Sequence, residues 1–276
     1  MVIPANVIEA VNEGDVSAVV AWLDGGGDVN DHVKDGRISS DTLLMRITQA
    51  DRVTSQHVEM ARMLLRRGAD VNYVPEENPD GRSALHVCVE FYVYVERDED
   101  AARLMEIMGL YVDARANVNL QGADGQTPLS LALNSIAELW HREWHARRTL
   151  ATASILLRNG ASLDAVEREM SAEELLRRAE GHDGSDDEEF IACKALVADM
   201  RAAGGTWKQY VLDMPKALLR LRSLVARGRA RSVKRLRART PREIELLLAP
   251  AFPNELCWRV LEYWNPRYEA RRTPSP

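Results

Sequence analysis

The stretch "RMLLRRGADVNY", Arg62–Tyr73, runs from basic and apolar residues through a glycine into Asp-Val-Asn. Its reading decides the fold, because the pattern returns. "GGDVN" stands at Gly26–Asn30, "GADVN" at Gly68–Asn72, "RANVN" at Arg115–Asn119 and "GASLD" at Gly160–Asp164, at steps of 42, 47 and 45 residues. A second phrase follows each turn: "DTLLM" from Asp41, "RSALH" from Arg82 and "QTPLS" from Gln126, with "MSAEE" at Met170 a poor fourth copy. Two phrases in fixed order, several times over, mark a solenoid of stacked units.

Each unit reads as two short helices and a turn. In "GDVSAVVAWLDGGGDVN", Asp15 can accept from the exposed N–H groups of a helix start. Ala18, Val19, Trp22 and Leu23 then share a face, and Gly26 supplies the positive φ that ends the helix. In "HVEMARMLLRRGADVN", Met60, Ala61, Leu64 and Leu65 occupy the equivalent face; in the fourth unit Ala153, Leu156 and Leu157 do. The second phrase starts the other helix. In "DGQTPLSLAL", Thr127 is a natural cap and Pro128 takes the first helical position, where its missing N–H costs nothing. Leu129, Leu131 and Leu133 carry apolar surface inward, and Asp124–Gly125 ahead of them is a turn signal. No single unit can bury its apolar face, so several must stack.

These phrases resemble the ankyrin repeat family. The first two quoted units match its second helix and turn; "DGQTPLSLAL" and "DGRSALHVCV" match its turn and first helix. The resemblance implies an all-α solenoid of about four to five helix pairs, with a short helical extension after it. Units fall at 1–30, 31–72, 73–119, 120–164 and, in degenerate form, 165–205. The family's usual work is protein binding through the concave face and turn tips, without catalysis. That places partner contacts at Asp35, Arg37, Asp80, Arg82, Asp124 and Gln126. A histidine at the position of His86 normally bonds backbone and braces neighbouring repeats in this family.

The family period is about 33 residues, and every interval here is longer. The extra residues lie between first and second helices, in "EFYVYVERDED" (Glu90–Asp100) and "NSIAELWHREWHARR" (Asn134–Arg148). Neither contains Gly or Pro, so longer first helices are expected. Trp140 and Trp144 form an i, i+4 pair there. Either they pack on Phe91, Tyr92 and Tyr94 of the neighbouring insertion, as a ridge, or they meet a partner directly. His141 and His145 have a zinc-compatible spacing, but no third ligand stands at motif spacing. "DGSDDEE" (Asp183–Glu189) lacks the ligand order of a calcium loop and reads as a solvated loop at a helix start. No catalytic motif is present, and the sequence calls for no enzyme activity, cofactor or metal.

Composition bounds the rest. The 276 residues are 46% hydrophobic with a net charge of −6. Cys88, Cys193 and Cys257 are widely spaced and odd in number, which suits a reducing compartment. The N-terminus lacks the pattern of a secretory signal, and no apolar run approaches the roughly 20 residues of a membrane helix. The chain therefore reads as a cytoplasmic or nuclear monomer.

Charge is unevenly spread: Met214–Arg242 holds eleven Lys or Arg and no acid. Arg229, Arg231, Lys234, Arg235, Arg237 and Arg239 could form a solvated helix, direct nuclear import or meet nucleic-acid phosphates. No aromatic interrupts them, so bases have no stacking platform. Beyond, "FPNELCWRVLEYW" puts Leu256, Val260, Leu261 and Trp264 on one side of a helix. This segment resembles the opening of an F-box. With "RSLVARGRARSV" it also resembles a SOCS box, although Gly228 stands where a cysteine is usual. Ankyrin proteins of both sorts act as substrate receptors of ubiquitin ligases. A ligase adaptor docking through residues 223–264 is therefore the alternative to a plain interaction scaffold, and a nucleic-acid-associated factor is a third reading.

Overall fold

The computed structural model describes residues 3–33, 40–139, 143–164, 170–180, 187–212, 220, 222, 223 and 227. The chain divides into two compact units, residues 1–198 and 199–276. The first is an all-α solenoid; among the described residues, His32 and Thr42 form an isolated bridge.

Helices come in pairs: α1 (Ala5–Glu13) with α2 (Val16–Asp24), α3 (Leu43–Thr48) with α4 (Ser55–Arg66), α5 (Ala84–Tyr94) with α6 (Asp98–Asp113), and α7 (Pro128–Leu139) with α8 (Glu143–Arg158). First helices α1, α3, α5, α7 and α9 (Ala172–Ala179) pack in a row, each on the next, while α2, α4 and α6 form a second row. The helix α10 (Glu188–Ala202) follows. Leu64, Met60 and Ala61 of α4 are wholly buried, as are Leu85, Ile107, Leu133, Ala153, Leu156 and Leu157. Leu131 departs from the expectation: it is half-buried, because α7 turns it toward an open cleft rather than the core.

Caps set the boundaries. The Asp15 carboxylate accepts from the Ala18 N–H at 3.0 Å. Thr127 and Ser130 cap α7 reciprocally, Thr127 Oγ1 accepting from Ser130 N–H and Ser130 Oγ from Thr127 N–H, with Pro128 first in the helix.

The Asp-Val-Asn turns are structural in two directions. Within a turn, Asp28, Asp70 and Asn117 each accept from the backbone N–H two residues on. Between turns, Asn72 Oδ1 accepts from Asn117 N–H at 2.6 Å while its Nδ2 donates to the Arg115 carbonyl at 3.1 Å. Asn119 repeats the pair of bonds on Ser162 N–H and the Gly160 carbonyl, and Asn30 accepts from Asp70 N–H. Gly26, Gly68 and Gly160 end their helices at positive φ; the third repeat puts Arg115 there, at φ 65°. A side chain in that region costs roughly 1–2 kcal/mol, which the Asn72 bond to the Arg115 carbonyl helps to offset.

The insertions correct the expectation of longer first helices alone. The helix α5 stops at Tyr94, Val95 is extended, and α6 starts at Asp98 to run for 16 residues. Asp98, Glu99 and Asp100 fill its first turn, where carboxylates favour the positive end of the helix dipole. Glu143–Arg158 is likewise 16 residues long. The added length is thus shared between the two helices of each pair.

In the second unit, residues 207–212 are helical and Thr206 Oγ1 accepts from Gln209 N–H. The Trp207 and Tyr210 rings lie 5.4 Å apart. The basic segment from Arg229 to Arg239 and the segment carrying Leu256, Val260, Leu261 and Trp264 lie outside the described residues. No described helix is long and apolar enough to cross a membrane.

Two histidines tie repeats together. His86 Nδ1 accepts from Ser83 N–H at 3.2 Å, which leaves Nε2 to donate to the Gln126 carbonyl at 3.1 Å. His57 does the same from α4, with Nδ1 accepting from Thr54 N–H and Nε2 donating to the Asn12 carbonyl. Protonating Nδ1 would oppose one N–H with another. Burial lowers the pKa of both, and that of His86 falls to about 4. The unfolded chain therefore takes up protons that the folded chain refuses once pH drops below about 6.5. This stabilisation is complete above that value and drains away as pH falls toward about 4. Urea unfolding of the wild type should lose about 2 kcal/mol more between pH 7 and pH 5 than His86→Gln does. Equal losses would show that His86 is not held neutral.

Candidate interaction surface

The tips ahead of α5 and α7 meet. The Ala123 N–H donates to the Asp80 carbonyl at 2.8 Å. A Cβ on Gly81 would come within 2.8 Å of Ala123 N, and one on Gly122 within 2.8 Å of the Asp80 carbonyl oxygen. Small residues at both positions let the two turns touch, and so fix the residues that follow. Asp80 and Asp124 stay exposed at the tips. Arg82 and Gln126, one per repeat, come together, with Arg82 NH2 3.5 Å from Gln126 Oε1. Asp35, Arg37 and Trp140 lie outside the described residues.

Below the tips, a cleft of about 110 Å³ opens between α5 and α7, lined by Arg82, Glu90, Tyr94, Gln126, Leu131, Asn134 and Ser135. Arg82 NH1 donates to Glu90 Oε2 at 2.6 Å. Glu90 was not a sequence candidate. The pairing spans eight residues across a turn-to-helix junction, so no helical spacing signals it. Tyr94, which lines the cleft, and Phe91, next to Glu90 in α5, are 42% and 37% exposed, among the exposed large apolar side chains of the described residues.

The expected Tyr–Trp packing rests in part on Trp140, outside the described residues, and the two insertions approach each other at Arg148. Its guanidinium lies 5.9 Å from the Tyr92 ring centroid and 5.7 Å from that of Trp144, within the range of cation–π attraction. It donates to the Val95 carbonyl and to Asp98 Oδ1, the latter at 3.0 Å. Arg148 is only 2% exposed, whereas Asp98 is 77% exposed. The Tyr94 ring meets His145 edge-on at 6.0 Å; His145 is thus buried against the ridge, and its spacing partner His141 lies outside the described residues. Burial pushes the Tyr92 hydroxyl up to about 12, against the opposing pull of Arg148. The thiols of Cys88 and Cys193 are also raised by burial, which leaves them unreactive.

A model of the Ankyrin repeat family matches residues 41–74. This supports an ankyrin repeat protein. The matched span holds α3, α4 and the Gly68–Asn72 turn, and ankyrin repeats are in general protein–protein interaction modules. No curated protein matches the chain.

The Arg148 clamp makes a quantitative contrast. Arg148→Met strands the Val95 carbonyl and removes the cation that the Tyr92 and Trp144 rings face, at a cost of about 1–3 kcal/mol. Asp98→Asn alters an exposed partner and should cost under about 1 kcal/mol. Urea midpoints of the two variants check this; equal losses would mean that the ion pair, not the buried guanidinium, carries the contact.

Proposed function

We propose that the chain is a non-enzymatic interaction scaffold that binds a protein partner across α5 and α7. One observation supports this most: Arg82 and Gln126, from consecutive repeats, converge on an open cleft that the exposed Tyr94 also lines. Polar groups inside, an aromatic ring among them and exposed carboxylates at the tips give the mixed surface that protein interfaces use. The stacked helices hold it in place, so a partner meets a preformed surface and little is lost to ordering. The buried thiols and cap-bound histidines have structural uses, and none of them faces the cleft as a nucleophile or base.

Whether the same chain also docks a ubiquitin-ligase core rests on residues 223–264 alone. In that second reading the repeats would hold the substrate and the segment of Leu256, Val260, Leu261 and Trp264 the ligase.

Affinity purification of three full-length forms separates the two. Leu131→Arg places a charge in the cleft and should remove the partner held by the repeats, with helicity and melting unchanged. Replacing Leu256, Val260, Leu261 and Trp264 together with Ala should leave that partner in place; loss of ligase subunits in this form alone would support the adaptor. An unchanged partner set in Leu131→Arg would contradict binding across α5 and α7.

A further inference from the structure

We infer that the cleft between α5 and α7 takes the side-chain carboxamide of an Asn or Gln on the partner segment. This rests on the proposed interaction surface and specifies its chemistry. Arg82 and Glu90 face each other at 2.6 Å, with side chains 25% and 33% exposed. A guanidinium carries five N–H donors and a carboxylate two acceptor oxygens, so the bond between them and the 3.5 Å approach of Arg82 NH2 to Gln126 Oε1 leave both able to bond a further group.

The pair is neutral as a whole, and that selects its ligand. An acidic side chain drawn to Arg82 is repelled by Glu90; a basic one drawn to Glu90 is repelled by Arg82. Either also loses its hydration on entry, at a cost far above that of a neutral amide. A neutral group with one acceptor and one donor on the same edge satisfies both members. A primary carboxamide has that edge: its C=O accepts from Arg82 while its NH2 donates to Glu90. Both bonds are assisted by a charge. The peptide amide of a partner backbone does not serve, because a trans peptide points its C=O and N–H in opposite directions. The Tyr94 ring forms a wall of the cleft against which a flat amide can lie, and 110 Å³ is room for a side-chain head group.

Selection of a random peptide display library on the folded full-length chain tests this. The wild type should enrich Asn or Gln at one aligned position, and replacing that residue by Leu or Glu in a synthetic peptide should weaken binding about tenfold or more. Arg82→Gln leaves Glu90 alone and should shift the preferred residue to Lys or Arg. Glu90→Gln leaves Arg82 alone and should shift it to Asp or Glu. Peptides that lose binding in Leu131→Arg but show no carboxamide preference, or the same preference in all three proteins, would overturn the inference and leave the interaction surface standing. Should no selected peptide depend on Leu131, the surface itself would be wrong, and the inference with it.

Discussion

A pair of short helices has more apolar surface than its own partner helix can cover. Everything else in the first unit follows from that constraint. Leu64 and Met60 are wholly buried because α4 packs on α2, α3 and α6 together. Such interfaces must also satisfy the backbone groups that the turns leave bare, since an unpaired buried polar group costs as much as a lost hydrogen bond. Three side-chain types do this work at the junctions. Asn30, Asn72 and Asn119 bond the next turn, His57 and His86 reach neighbouring carbonyls, and Tyr111 donates to the Leu44 carbonyl at 2.6 Å from a fully buried position. Each is a strut between repeats, and the two histidines also cap their own helices.

The candidate surface is a by-product of this stacking. Turn contacts at Gly81 and Gly122 bring the α5 and α7 tips together, and the row of first helices then presents Arg82, Glu90 and Gln126 side by side. The Arg148 clamp secures the far edge of the same two repeats by holding the α5–α6 connection at Val95 and Asp98. One edge is fixed by close backbone approach and the other by a buried cation. The cleft between them is therefore set by the scaffold rather than by its own side chains.

Much of the fold could be read from local pattern. The recurrence of Gly-x-Asp-Val-Asn signals the array because its glycine and asparagine answer separate backbone needs. Thr127–Pro128 and Asp15 mark helix starts by capping chemistry, which acts over three residues. His86 is legible for the same reason. What escapes is nonlocal. Arg148 ends a run, "WHREWHARR", in which the tryptophans are the candidates for packing, and nothing in its neighbours tells that Tyr92 will lie opposite. Glu90 looks like an ordinary surface acid until the Asp80–Gly81 turn aims Arg82 at it. The break at Val95–Arg97 lacks glycine and proline; it follows from three carboxylates that favour a new helix start at Asp98. Of the candidate contacts, Arg82 and Gln126 converge because their repeats are adjacent in the stack.

If stability resides in the interfaces between repeats, damage to one repeat must spread. Hydrogen exchange on Leu64→Ala measures this most directly. The substitution empties a wholly buried site in α4 and should cost about 2–5 kcal/mol. Faster exchange should then appear in α2, α3 and α6 as well as in α4, because all three pack against it. Loss of protection confined to α4 would contradict the account and show that each helix is held by its own sequence rather than by the stack.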